Sequence, residues 1–141
     1  MGAAAAVATA VTFVWLGMVL AISFLETPLK FRAPGVTVQI GLGIGRLVFR
    51  ALNAAEAVLA VVLVIALVVA DPSATVAISG AVVVWVLGAQ LAAVRPRLTK
   101  RSDRVLAGED APRSHAHLAF IALECAKVVA LAVTGAALLS G

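Results

Sequence analysis

Apolar residues run almost unbroken through four stretches of this chain, at about 4–25, 47–70, 74–94 and 115–139. A helix rising 1.5 Å per residue needs roughly 20 such residues to cross a hydrocarbon core of ~30 Å. Each stretch reaches that length, so the pattern predicts an all-α membrane protein with four transmembrane helices in a bundle. The whole chain, 1–141, reads as a single membrane domain with little chain left for a soluble catalytic unit. The opening "MGAAAAVATAVTFVWLGMVLAISF" has no basic start, and its apolar run is longer than that of a signal peptide, so it reads as a retained first helix. Position 6 is alanine, which breaks the myristoylation pattern.

The connections differ in character. "ADPSAT" holds Asp71-Pro72 and reads as a tight turn, with proline helping to start the next helix. The connection at about 95–114, "RPRLTKRSDRVLAGEDAPR", is polar and is expected at the membrane surface. The connection at about 26–46 is apolar, with Pro28, Pro34 and several glycines. Irregular backbone cannot face lipid unsatisfied, so this segment is expected to lie in the interface or fold back on the bundle. Within it, "GLGIGR" before a helix offers backbone N–H groups to an anion, with a flexible glycine entry to helix 2 as the plainer reading.

Charge orients the helices. Only 13% of residues are charged and 63% are hydrophobic, where a soluble domain carries about a quarter charged. Lys30, Arg32, Arg46, Arg50, Arg95, Arg97, Lys100, Arg101, Arg104 and Arg113 all fall on or beside the two long connections. Of the 11 basic residues only Lys127 sits inside a helix. Basic loops stay cytoplasmic, so both termini are expected outside an inner (cell) membrane, multi-pass. The basic pI of about 10.2 therefore points to anionic headgroups at the loops and not to nucleic acid. The single cysteine, Cys125, excludes an intrachain disulfide.

The polar residues inside the apolar runs are the candidate chemistry. Arg46, Arg50, Asn53 and Glu56 are spaced 4, 3 and 3, which puts them on one face of helix 2. Glu56 then lies ~15 Å along the axis from Arg46, near mid-membrane. Helix 4 repeats the theme with His117, Glu124 and Lys127. Aligned on the glutamates, "ALNAAEAVLAVV" and "AFIALECAKVVA" look like weak copies, which suggests a duplicated hairpin of parallel repeats. A charge at mid-membrane costs ~2.5–3.5 kcal/mol, so these groups should face the interior and pair. Lys127 can bond Glu124 on its own helix, reach Glu56, or bridge both. Glu26 and Gln90 add to the polar half. The shape implied is a polar pocket open to the cytoplasm, floored by Glu56 and closed beyond by Val, Ala and Leu.

A buried Glu–Lys pair also serves as plain register glue. His115 and His117 point about 160° apart and cannot share a metal. His117 with Glu124 and Glu56 forms the weak metal alternative. No cofactor is implied. Trp15 and Trp85 read as core or lipid-facing filler. Small residues at Gly17, Ala21, Gly88, Ala92, Ala122, Ala126, Ala130 and Thr134 are expected on packing faces. Four short helices enclose little volume alone, so a homo-oligomer is expected.

"ISFLETPLKFRAPGVTVQIGLGIGRLVFRALNAAE" resembles a family of small four-helix inner-membrane proteins of bacteria, to which no activity attaches. The resemblance covers roughly residues 17–60 and implies that Glu26, the Pro28-to-Gly35 turn, Arg46 and Glu56 form a working region. The function expected is binding or transport of a small solute, ion or lipid headgroup in the pocket. The alternatives are an assembly subunit of a larger membrane complex and, weakest, a metal-dependent membrane enzyme.

Overall fold

The computed structural model describes residues 1–112 and 115–141. It contains four long helices: α1 (Ala3–Lys30), α2 (Val38–Ala70), α3 (Ala74–Leu106) and α4 (His115–Ser140). All four are long and apolar enough to cross a membrane, and no strand occurs among the described residues. Each helix packs beside its sequence neighbours, and α4 closes the ring against α1. The weakest seam runs between α2 and α3. Both termini and the α2–α3 turn therefore lie at one end of the bundle, and the basic connections at the other.

The helices run further than hydropathy implied, and this corrects the expected connections. α2 begins at Val38, where the Thr37 hydroxyl caps the Ile40 N–H at 3.1 Å. The run "GLGIG" is helical. Its glycines make room for α1: a Cβ on Gly41 would collide with the Phe31 ring, and one on Gly45 would stand 3.3 Å from the Lys30 ammonium. Close approach, and not backbone freedom, accounts for these two glycines. Because the segment is helical, its N–H groups are consumed internally, starting with Gly41 N–H to Thr37 O at 2.9 Å. The anion-binding role for "GLGIGR" backbone falls with that.

α3 likewise continues past Val94 through Arg95–Leu106. Its last turns fold onto α2, where Gln39 donates to the Val105 carbonyl at 3.4 Å and Arg46 pairs with Asp103 at 2.6 Å. Arg113 and Ser114, part of the expected basic connection, lie outside the described residues. The turn is tight, as expected, with Asp71 ending α2 in the left-handed region (φ 48°), but Pro72 lies before the cap and does not start α3, whose N-cap is the Ser73 hydroxyl.

α1 and α3 each widen into a π-helical segment, Leu20–Glu26 and Gln90–Val94. Each widening comes just before a proline, Pro28 and Pro96. A proline inside a helix deletes one N–H and crowds the preceding turn, and a π-bulge absorbs that mismatch. The Thr27 hydroxyl donates to the Ile22 carbonyl at 2.8 Å, the same oxygen that its backbone N–H reaches across the π-turn.

The apolar core fills the half of the bundle nearer the termini. Val19, Leu63, Val83, Leu87 and Leu131 are buried there beside Trp15. The Ser79 and Thr134 hydroxyls lie 2.8 Å apart and each returns to its own helix, to Thr75 O and Ala130 O at 2.7 Å. Most of the expected small-residue rows do not pack inside this bundle. Ala130 and Thr134 are buried, but Gly17, Ala21, Gly88, Ala92, Ala122 and Ala126 face outward. Helix contact runs instead through Gly80 against Leu67 and Gly135 against Phe13.

Candidate functional site

Two polar layers are stacked in the bundle. The deeper one is a closed knot around Lys127. Its ammonium donates to Glu56 Oε2 at 2.5 Å, to Glu124 Oε1 at 2.7 Å and to Gln90 Oε1 at 2.8 Å. Three N–H bonds meet three oxygens, from α2, α4 and α3, so the ammonium is fully satisfied. Lys127 thus bridges both glutamates, the last of the arrangements open from the sequence. Trp15 on α1 donates its indole N–H to Glu56 Oε2 at 2.8 Å, and Ser23 donates its hydroxyl to Glu124 Oε2 at 2.7 Å. Gln90 also donates to Glu124 Oε1 at 3.3 Å. All four helices contribute. Glu56 and Lys127 are each 1% exposed.

Trp15 and Ser23 are the members that the sequence did not single out. A tryptophan deep in an apolar run reads as filler by composition. Its N–H becomes significant only when another helix places a carboxylate against it. Trp85, by contrast, is 69% exposed on the outside and takes no part.

The second layer lies toward the basic end. Arg95, beside the π-bulge of α3, is sandwiched between Phe49 of α2 and Phe120 of α4, 4.9 and 4.8 Å from their ring centroids. The two rings meet edge to face, 5.8 Å apart. Arg95 also lies within electrostatic reach of Glu124 and Glu56. The inner polar core thus holds two carboxylates and two cations and is formally neutral.

Beyond this stack opens a cavity of about 600 Å³ lined by all four helices. Its cations are Lys30, Arg46, Arg50, Arg95 and Arg101, with His117 and Asn53 beside them. No carboxylate among the described residues lines it. Its walls are also aromatic and aliphatic, including Phe24, Phe31, Leu98 and Ile121.

The structure therefore divides the residues singled out from sequence. Arg46, Arg50, Asn53 and His117 share the cavity. Glu56, Glu124, Lys127 and Gln90 are locked together in the knot and are not part of its lining. Glu26 faces a separate shallow groove between α1 and α2 and pairs with Lys30 at 3.6 Å. Among the described residues no three His, Cys, Asp or Glu side chains are grouped to hold a metal, so His117, Glu56 and Glu124 do not form one set. Lys30, Arg95 and Arg101 are cavity cations that sequence reasoning had assigned to topology alone. The signal that finds them is helical continuation past Glu26 and Val94, which carries loop-like basic residues onto the inner wall.

The chain matches no protein-family profile, no curated protein and no solved structure.

Proposed function

We propose that this chain is an integral membrane protein that binds a small anionic solute, ion or headgroup in the cavity at its basic end. The observation that carries the reading is the cavity's wall: five cations from three helices and, among the described residues, no carboxylate. A concave site that mixes apolar walls with convergent charge is the form of a ligand pocket. By the positive-inside rule the cavity opens to the cytoplasm of the cell membrane, with both termini outside. Membership of the four-helix bacterial family belongs to the same proposal. The outward-facing small residues of α1, α3 and α4 are the surface on which a second copy would pack.

Transport would require a path past the knot and the apolar core. The two π-bulges before Pro28 and Pro96 stand where such a path would flex, since bulges of this kind recur at functional sites. One observation favours the structural alternative for the deeper layer. Lys127 pairs directly with both glutamates and leaves no open ligand position between them, which is what a register device looks like.

The test uses charge-selective labelling of the detergent-solubilised chain, in which orientation plays no part. In a Cys125→Ser background, Asn53→Cys should react faster with a sulfonate-bearing thiol reagent than with an ammonium-bearing one. A focused cationic field makes a ratio of about tenfold or more the expectation. Arg50→Gln should lower that ratio, and Ala60→Cys, behind the knot, should stay unreactive. Equal rates, or preference for the cationic reagent, would refute an anion site.

A further inference from the structure

We propose that the anion this cavity takes is a phosphate monoester, one that carries an apolar body. The inference rests on the anion-binding reading and narrows it to a chemical class.

The first argument is a charge count. Arg46 is already paired with Asp103 at 2.6 Å, and Arg95 is committed to its two rings and faces the buried carboxylates. Arg101 donates Nε to the Ala111 carbonyl at 3.0 Å, which leaves its charge uncompensated. Arg50 makes no salt bridge among the described residues. Two guanidinium charges therefore remain over. A phosphate monoester carries about −1.5 to −2 near neutral pH, whereas a diester or a carboxylate carries one charge.

The second argument is a buried ammonium with too few partners. The Lys30 side chain is only 6% exposed and lines the cavity. Its carboxylate neighbour, Glu26 Oε1, stands at 3.6 Å, beyond hydrogen-bond length. The other oxygen, Glu26 Oε2, is buried with no hydrogen-bond partner among the described residues. Gly45 supplies the room in which this ammonium sits. Such a group requires an acceptor, and the tetrahedral oxygens of a phosphate can meet an ammonium and guanidinium forks together. The hydroxyls of Thr27, Thr99 and Ser102 line the same space.

The third argument concerns the rest of the ligand. A volume of about 600 Å³ is too large for a bare ion and fits a small organic molecule. Phe24 and Ile121 both line the cavity and are both exposed. The charged end thus lies next to apolar wall. A phosphate monoester on a lipid fits both halves. A soluble organic phosphate shares the phosphate chemistry, and the experiment separates the two sources.

The experiment is thermal unfolding of the full chain in neutral detergent at matched ionic strength. The probes are phosphatidic acid, phosphatidylglycerol of the same acyl chains, inorganic phosphate and sodium acetate. Phosphatidic acid should raise the melting temperature by several degrees, and more than phosphatidylglycerol does. Lys30→Met and Arg50→Gln should each weaken its apparent affinity about tenfold, the loss of one charge-assisted contact. Arg97→Gln, exposed and off the lining, should leave it unchanged. Arg50 is exposed, so its variant remains informative even if Lys30→Met does not fold. Stabilisation by inorganic phosphate equal to that by phosphatidic acid upholds the phosphate site and makes its ligand soluble. Phosphatidylglycerol equal to phosphatidic acid overturns the monoester. Acetate equal to the phosphates overturns the phosphate class but leaves the anion cavity standing. If no anion stabilises while the thiol-labelling ratio holds, this inference fails alone. If that ratio is also absent, both readings fail.

Discussion

Lys127 shows how one side chain can organise a bundle. Its ammonium spends every proton on Glu56, Glu124 and Gln90, and each partner is in turn held by a second group or helix. Removing one member of a buried ion cluster leaves the rest uncompensated, which typically costs about 3–5 kcal/mol. Lys127→Met should therefore lower thermal stability sharply. Glu56→Gln added to it should restore part of the loss, because one stranded carboxylate disappears. Additive losses in this double-mutant cycle would mean that the two residues do not interact. The pairing of these residues was legible in the sequence, since two acids and an amine at one depth of an apolar bundle have nowhere else to go. The partition into a closed knot and a separate cavity was not. Helical periodicity places Glu56 on the face that bears Arg50, but it does not say that Arg95, Phe49 and Phe120 insert between them as a stacked layer.

At the scale of elements, the departures from expectation share a cause. Hydropathy ends a helix where charge or glycine begins, and here two helices run on through both. α2 starts nine residues before its apolar run because the glycines of "GLGIG" make room for α1 side chains instead of a loop. That account predicts a contrast between neighbours. A Cβ on Gly41 would collide with the Phe31 ring, whereas one on Gly43 would meet nothing within 4 Å. Gly41→Ala should cost about 1–3 kcal/mol as an overpacking change, or displace Phe31 from the cavity wall. Gly43→Ala should be neutral or stabilise by up to about 1 kcal/mol through helix propensity. Melting curves of the two variants decide it, and equal effects would return the segment to a flexible helix entry. α3 continues for a comparable reason, as Arg46–Asp103 and Gln39–Val105 tie its basic turns to α2. Such tertiary contacts carry no local signature. Termination at Asp71-Pro72 was legible because turn chemistry is local.

Over the whole molecule, one spacing ties the halves together. Glu56 and Glu124 are 68 residues apart (124 − 56), as are Pro28 and Pro96 (96 − 28), and the π-segments end at Glu26 and Val94 (94 − 26). Equivalent helices, α1 with α3 and α2 with α4, sit on the two diagonals of the bundle. That arrangement is the one expected of a duplicated hairpin with parallel repeats about an axis along the bundle. The symmetry is incomplete, since α1 packs well on α4 while α2 and α3 meet thinly. Both proline breaks, and with them the cavity, lie at the same end as the basic connections. The direction in which that end faces decides which compartment supplies the ligand. In a Cys125→Ser background on intact cells, Ser73→Cys at the α2–α3 turn should react with an impermeant thiol reagent. Lys100→Cys, exposed at the basic end, should react only after the membrane is opened. Among the described residues nine basic side chains lie at that end and only Lys127 lies deeper, so a flipped bundle would carry nearly all of its positive charge across the bilayer. Labelling of Lys100→Cys from outside, with Ser73→Cys protected, would turn the cavity toward the exterior. The phosphate ligand would then have to come from the outer leaflet or the medium, with the geometry of its site unchanged.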